Sequence, residues 1–203
     1  MNHSTNNNTT TGLDETIRRH REQYFTIIGG AEFTEGTSTI PADRWYREVT
    51  QSLSSIKKSG NRMYFIGNGA SSSMSSHFAT DFAKNGGIPS FSLNEGSLLT
   101  CFSNDFSYET AYAEMLKRFM RPADMLVAIS SSGSSRNIIT AVAAAREHVH
   151  GAVIVTFSGF RKDNPLRRAG DFNLYLANDD YGFVESGHAY YLHLLIDLFI
   201  QLS

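Results

Sequence analysis

His77 and Asp81 stand four residues apart in a stretch, from about Ser72 to Lys84, that has a helical pattern. That spacing puts both side chains on one face, one turn apart, as metal ligands or an acid/base pair require. A second ionisable group, Glu185, His188 and His193, falls in the last helical stretch. Glu185 and His188 share a face there, whereas Glu185 and His193 are two turns apart and offset by about 80°. Periodicity alone therefore pairs Glu185 with His188. The third feature is Ser130-Ser-Ser-Gly-Ser-Ser135, an unbroken run of serine and glycine. Backbone N–H groups and a helix dipole converge in such a turn and hold an anion, most often phosphate, without a lysine. Serine hydroxyls add donors that can wrap a phosphate ester. Each feature also has a plainer reading. A lone helical histidine is ordinarily a surface or core residue, and serine favours caps and turns. Together, on the elements that carry them, they point to chemistry.

Those elements follow from the apolar runs. Asp124 to Ile129 is a buried strand that feeds the serine loop, and an alanine-rich helix leaves it and runs to His148. Met63 to Ile66 is a second such strand, ending in Gly67-Asn-Gly-Ala-Ser-Ser-Ser73 and followed by the helix of His77. Residues 90–93, 152–157 and 172–176 complete five strands, and helical patterns cover 97–102, 108–120 and 184–202. Strands alternating with helices of this length predict an α/β fold, a three-layer doubly wound parallel sheet of about five strands. The two Gly/Ser turns then lie on one rim, at carboxyl ends of strands, where they can face a single ligand. Two amphipathic helices, 13–28 and 41–59, precede the first strand and cannot be its crossovers; they must cover the sheet or pack against another subunit. Residues 31–40 read as a loop and Ser103-Asn-Asp105 as a polar turn.

Composition bounds the rest. A chain of 203 residues with 41% hydrophobic and 19% charged residues makes one folded domain, here 13–203, with the helices at 13–59 as its N-terminal part. A net charge of -2 gives no footprint for nucleic acid. The single cysteine, Cys101, excludes an internal disulfide framework and a cysteine-based zinc site. No apolar stretch reaches the roughly 20 residues that span a membrane. Residues 1–12 are polar and read as a flexible tail without a signal-peptide core, so the expected compartment is the cytoplasm.

The segments Gly67-Asn-Gly-Ala-Ser71, His77-Phe-Ala-Thr-Asp81, Ser103-Asn-Asp105, Ile129 to Ser135, and Glu185-Ser-Gly-His188 with His193 resemble the sugar isomerase (SIS) domain family. Within it they are most similar to the phosphoheptose isomerase group, over about residues 42–202. The resemblance implies a five-stranded parallel sheet and a homotetramer with active sites at subunit interfaces. It also implies one zinc ion per subunit. Carried over by position, Ser130, Ser131, Ser132 and Ser135 correspond to the phosphate cradle. Asn68, Gly69 and Ser71 correspond to the sugar site, and Asn104 and Asp105 to a pair beside it. His77 and Asp81 match a His-x-x-x-Glu pair that binds zinc and supplies the catalytic base. Glu185 matches a Gln zinc ligand, and His193 the second catalytic residue. The implied metal set is thus His77, Asp81, Glu185 and His193, with Asp81 and His193 catalytic. On this point the resemblance selects His193 over the His188 that spacing favours.

The implied activity is aldose–ketose isomerisation of a phosphorylated sugar, sedoheptulose 7-phosphate to D-glycero-D-manno-heptose 7-phosphate. One of Asp81 and His193 removes the proton beside the carbonyl to give an enediol, and the other returns a proton at the next carbon. Two rivals are an isomerase of another phosphosugar and a non-catalytic SIS protein that binds a sugar phosphate or a protein partner. The chain departs from the group's pattern at three places: Asp81 stands for Glu, Glu185 for Gln, and Gly182 for an acid near the last helix.

Overall fold

The computed structural model describes residues 7–202, with side chains from Gly12 onward. Helix α1 (Asn7–Gly29) leads into a short hairpin, β1 (Glu32–Glu35) and β2 (Ser38–Thr39), and then helix α2 (Ala42–Ser59). The described part of the expected tail, from Asn7, continues α1; residues 1–6 lie outside the described residues. The remainder alternates: β3 (Met63–Gly67), α3 (Ala70–Lys84), β4 (Ser90–Ser92), α4 (Gly96–Asp105), α5 (Ala111–Phe119), β5 (Met125–Ser130), α6 (Arg136–His148), β6 (Val153–Gly159), a 3-10 turn (Pro165–Arg168), β7 (Phe172–Leu176) and α7 (Tyr181–Leu202).

The sheet order is β2-β1-β7-β6-β5-β3-β4. The five expected strands, β3 to β7, are mutually parallel. The sheet nevertheless has seven strands, because residues 32–39 add an antiparallel hairpin to the edge at β7. Phe33 holds that hairpin down, buried among the rings of Trp45, Tyr46 and Tyr191.

Alternation along the strands sets the layers. Met63, Phe65, Val127 and Phe157 face a core built with α2, α3 and α7. Tyr64, Ile66, Leu126 and Ile154 face the opposite core, built with α5 and α6. Trp45, Val49, Leu53 and Ile56 bury the whole apolar stripe of α2, so this helix does cover the sheet as its position required. Helix α1 packs on α7 and leaves Leu13, Ile17 and Phe25 exposed. Among the described residues no helix is long and apolar enough to cross a membrane.

β3 leads to β4 on one side of itself, and the chain then returns across β3 to β5 on the other. That reversal makes a crevice at the carboxyl ends of β3 and β5, the place where open α/β sheets bind ligands. Both Gly/Ser turns open there.

Candidate active site

The crevice is a cleft of about 250 Å³ lined by Asn68, Gly69, Ser71, Ser130, Ser131, Ser132, Ser135, Tyr181 and Glu185, with Ala70. Local backbone chemistry shapes each wall. Gly69, just before α3, has φ 56° and ψ −125°, a conformation open to glycine and costly for other residues. On the facing wall, Gly133 N donates to Ser130 O at 3.0 Å and folds the serine loop into a tight turn. Ser130 Oγ donates to Ser135 Oγ at 3.2 Å across it. The N-termini of α3, α6 and α7 all open beside this cleft, so three helix dipoles favour negative charge there.

The serine loop is braced from outside by Asn164, which is buried beneath it. Its Nδ2 donates to Gly159 O at 2.9 Å and its Oδ1 accepts from Arg167 N at 2.9 Å, while Leu166 N donates to Gly133 O at 3.1 Å. Gly133 has φ +62°, and a Cβ there would lie 1.9 Å from Asn164 Oδ1. Gly133→Ala is therefore expected to destabilise the fold by about 1–3 kcal/mol from backbone strain and to weaken phosphate binding. Chemical denaturation and an inorganic-phosphate titration of the variant check both.

The ionisable cluster lies further down α3 and α7. His77 Nε2 and Asp81 Oδ2 are 3.3 Å apart. The His77 and His193 rings are 5.2 Å apart between centroids, and the buried Phe78 packs against His193 at 4.8 Å. One ligand atom each from His77, Asp81 and His193 come within 4.8 Å of one another. Two imidazole nitrogens and a carboxylate oxygen are a set that a divalent cation such as zinc accepts. The side chain of Asp81 is half-buried, while both histidines are exposed.

Glu185 is not in this cluster. It sits in the cleft, where Oε1 accepts a long hydrogen bond, 3.5 Å, from Ser131 Oγ. Eight residues of α7 separate it from His193, roughly 12 Å of helix rise, which is why one chain does not bring both to a single ion. His188, which spacing favoured as its partner, is fully buried; its Nε2 donates to Ser158 O at 3.1 Å. Burial drives its pKa down to about 4. Asn104 and Asp105 are also elsewhere. The expected turn at 103–105 is instead the last turn of α4, and both side chains are exposed outside the cleft, with Asn104 Nδ2 donating to Asp105 Oδ1 at 3.2 Å. Packing of Phe102 against Phe106 and Phe119 carries the helix through these poor helix formers. Tyr181 went unremarked in the sequence because nothing in its spacing sets it apart. At Gly182, the neighbouring Asp180 supplies a carboxylate, but it is spent on capping α7, with Oδ1 accepting from Gly182 N at 2.7 Å.

A doubly wound sheet with a serine-lined cleft at its switch point, beside a His/Asp/His cluster, belongs to a recognisable class. The SIS domain matches residues 47–158, and the chain belongs to the SIS-domain family. Its curated relatives include a phosphoheptose isomerase of Akkermansia muciniphila, 29% identical over 85% of this chain and 92% of the relative. Another, from Salmonella paratyphi B, is 32% identical over 70% of this chain and 75% of the relative. The fold is shared with the solved phosphoheptose isomerase of Francisella tularensis, with a TM-score of 0.76 at 20% identity, covering 94% of this chain and 98% of that one.

Proposed function

We propose that the chain is an aldose–ketose isomerase of a phosphorylated sugar, with sedoheptulose 7-phosphate as substrate and D-glycero-D-manno-heptose 7-phosphate as product. The observation that carries this reading is the placement of an acid/base cluster on α3 and α7, the same two helices whose N-termini line the cleft of the serine-loop anion cradle. Six residues from Ser71 to His77 amount to roughly 9 Å of helix rise, a span suited to a sugar with phosphate at one end and a carbonyl near the other. The names of the curated relatives support both the reaction and the heptose.

Ser130, Ser131, Ser132 and Ser135 hold the phosphate, with the dipoles of α3 and α6 facing it. Asn68, Gly69 and Ser71 line the path of the sugar chain. Asp81 or His193 takes the proton from the carbon beside the carbonyl, and the other donates one at the neighbouring carbon. His77, Asp81 and His193 would hold one divalent ion, zinc by donor type, whose charge stabilises oxygens that become negative in the reaction. A residue cannot at one moment be a tight ligand and a free base, so of Asp81 and His193 the one that takes the proton would not be a tight ligand of that ion. Glu185 lines the phosphate end of the cleft in this chain, and the pair Asn104–Asp105 joins the site from a second copy of the chain. Open histidines, together with the exposed Leu13, Ile17 and Phe25 of α1, support a homotetramer with shared sites. A phosphorylated substrate and a lone exposed cysteine suit the cytoplasm.

The test is a turnover screen of the purified protein over sedoheptulose 7-phosphate and shorter ketose phosphates, with metal analysis alongside. Conversion of the heptose, lost on chelation and restored by zinc, is the expected result. A protein that binds phosphosugars but converts none is the non-catalytic alternative.

A further inference from the structure

The side-chain amide of Asn68 is gripped by two residues that do not line the cleft. Asn68 Nδ2 donates to Asn137 Oδ1 at 2.9 Å, and Asn137 Nδ2 donates back to Asn68 Oδ1 at 2.9 Å. The two amides close a ring between the turn after β3 and the first turn of α6. The Tyr108 hydroxyl donates to the same Asn68 Oδ1, also at 2.9 Å. Asn137 is only 3% exposed, so water does not compete for it. Tyr108 reaches over from the loop between α4 and α5, which is fastened at Ser107–Thr110 by a 2.8 Å hydroxyl pair and at Glu109 by a 3.6 Å ion pair to Arg136.

An amide has two lone pairs on oxygen and two N–H groups. In Asn68 both lone pairs are taken, one by Asn137 and one by Tyr108, and one N–H is taken by Asn137. What is left for the cleft is a single N–H. A free asparagine would turn either end toward a ligand, and its carbonyl end would repel a phosphate or a developing oxyanion.

We infer that Asn137 and Tyr108 are positioning residues: they lock Asn68 so that it presents an N–H, and no carbonyl oxygen, to the phosphosugar. The inference rests on the reading of the cleft as the phosphosugar site. It assigns to Tyr108, an exposed loop residue, an effect on binding that acts only through Asn68.

A double-mutant cycle tests it, with sedoheptulose 7-phosphate as the probe. Tyr108→Phe removes one hydrogen bond from an exposed ring and leaves the fold alone. It is expected to raise KM about fivefold with kcat within about twofold, the effect of one modest hydrogen bond. On an Asn68→Ala background the same change is expected to have no further effect. Asn137→Ala, which breaks the ring itself, is expected to cost more than Tyr108→Phe; any loss of folding in it leaves the Tyr108 cycle untouched. An equal fivefold loss in both backgrounds, or no loss in either, overturns the inference. If the wild type binds this sugar without converting it, the cycle is read in calorimetric Kd: the activity then falls while the positioning role stands or falls on its own numbers. If the wild type does not bind it, both are overturned.

Discussion

Asp81→Asn is expected to lower kcat by about 10²–10⁴-fold, the range that a positioned general acid or base contributes, with KM little changed. The substitution is nearly isosteric, and Asp81 lies outside the core, so stability and assembly should survive it. Asparagine retains an oxygen for a metal but has no carboxylate to take a proton. The variant should therefore keep most of its bound metal while losing turnover, which separates the two jobs proposed for the residue. His193→Ala should cut turnover by a similar factor, with the assembly again intact by size-exclusion chromatography. Because the two act as a unit, one removing and the other returning a proton through a single enediol, the double variant should be scarcely worse than either single one. His77→Ala behaves differently: its first loss is the metal, measured by elemental analysis, and activity falls with it. Normal turnover in both Asp81→Asn and His193→Ala would sink the mechanism.

Which histidine belongs beside Asp81 was not legible from spacing. On an ideal helix Glu185 and His188 share a face, yet α7 is apolar nearly all round, and periodicity cannot say which side meets α3. The structure turns His188 into the core under Ser158 and leaves His193 at the surface with His77. Resemblance to a family selected the histidine that lies beside His77 and Asp81, because it carries information about other elements that a single helix lacks. The proposed phosphate cradle, by contrast, was readable locally. The groups proposed to bind there are backbone N–H and adjacent hydroxyls, and a strand, a Gly/Ser turn and a helix in succession are enough to converge them.

The five parallel strands were legible for a similar reason. Strands buried on both faces read as continuous apolar runs, as Met125 to Ile129 and Val153 to Phe157 do. The β1–β2 hairpin was not. Its four-residue and two-residue strands are too short for a pattern, and distant partners hold them. Phe33 needs Trp45 and Tyr191, and Glu32 pairs with the buried Arg167, whose guanidinium lies 4.3 Å from the Tyr175 ring. Residues 103–105 failed differently: serine, asparagine and aspartate favour turns locally, but packing of the neighbouring phenylalanines outweighs that preference.

The second large effect lies in stability, and His188 causes it. Its Nε2 carries the proton that it donates to the Ser158 carbonyl, and its Nδ1 is a buried atom without a hydrogen-bond partner. Protonation would add an N–H with nothing to receive it and a charge with no water around it. The folded protein therefore keeps this ring neutral down to a pKa of about 4, against an ordinary 6.5 in the unfolded chain. The sign follows from proton counting. Above pH 6.5 both states are neutral here and the group adds no pH dependence. As pH falls below 6.5 the unfolded chain takes up a proton that the native state refuses, so stability declines, at about 1.4 kcal/mol per pH unit. The loss levels off below the folded pKa at a total of about 3 kcal/mol, a large share of a typical domain's stability. Chemical denaturation between pH 7 and 5 reads the slope before most carboxylates titrate. His188→Gln keeps an N–H for Ser158 and cannot titrate, so it should be less stable at pH 7 but show a flatter profile. Parallel profiles for wild type and variant would remove His188 as the source of acid sensitivity. A flatter one would mean that the histidine which spacing chose for chemistry instead limits the fold in acid.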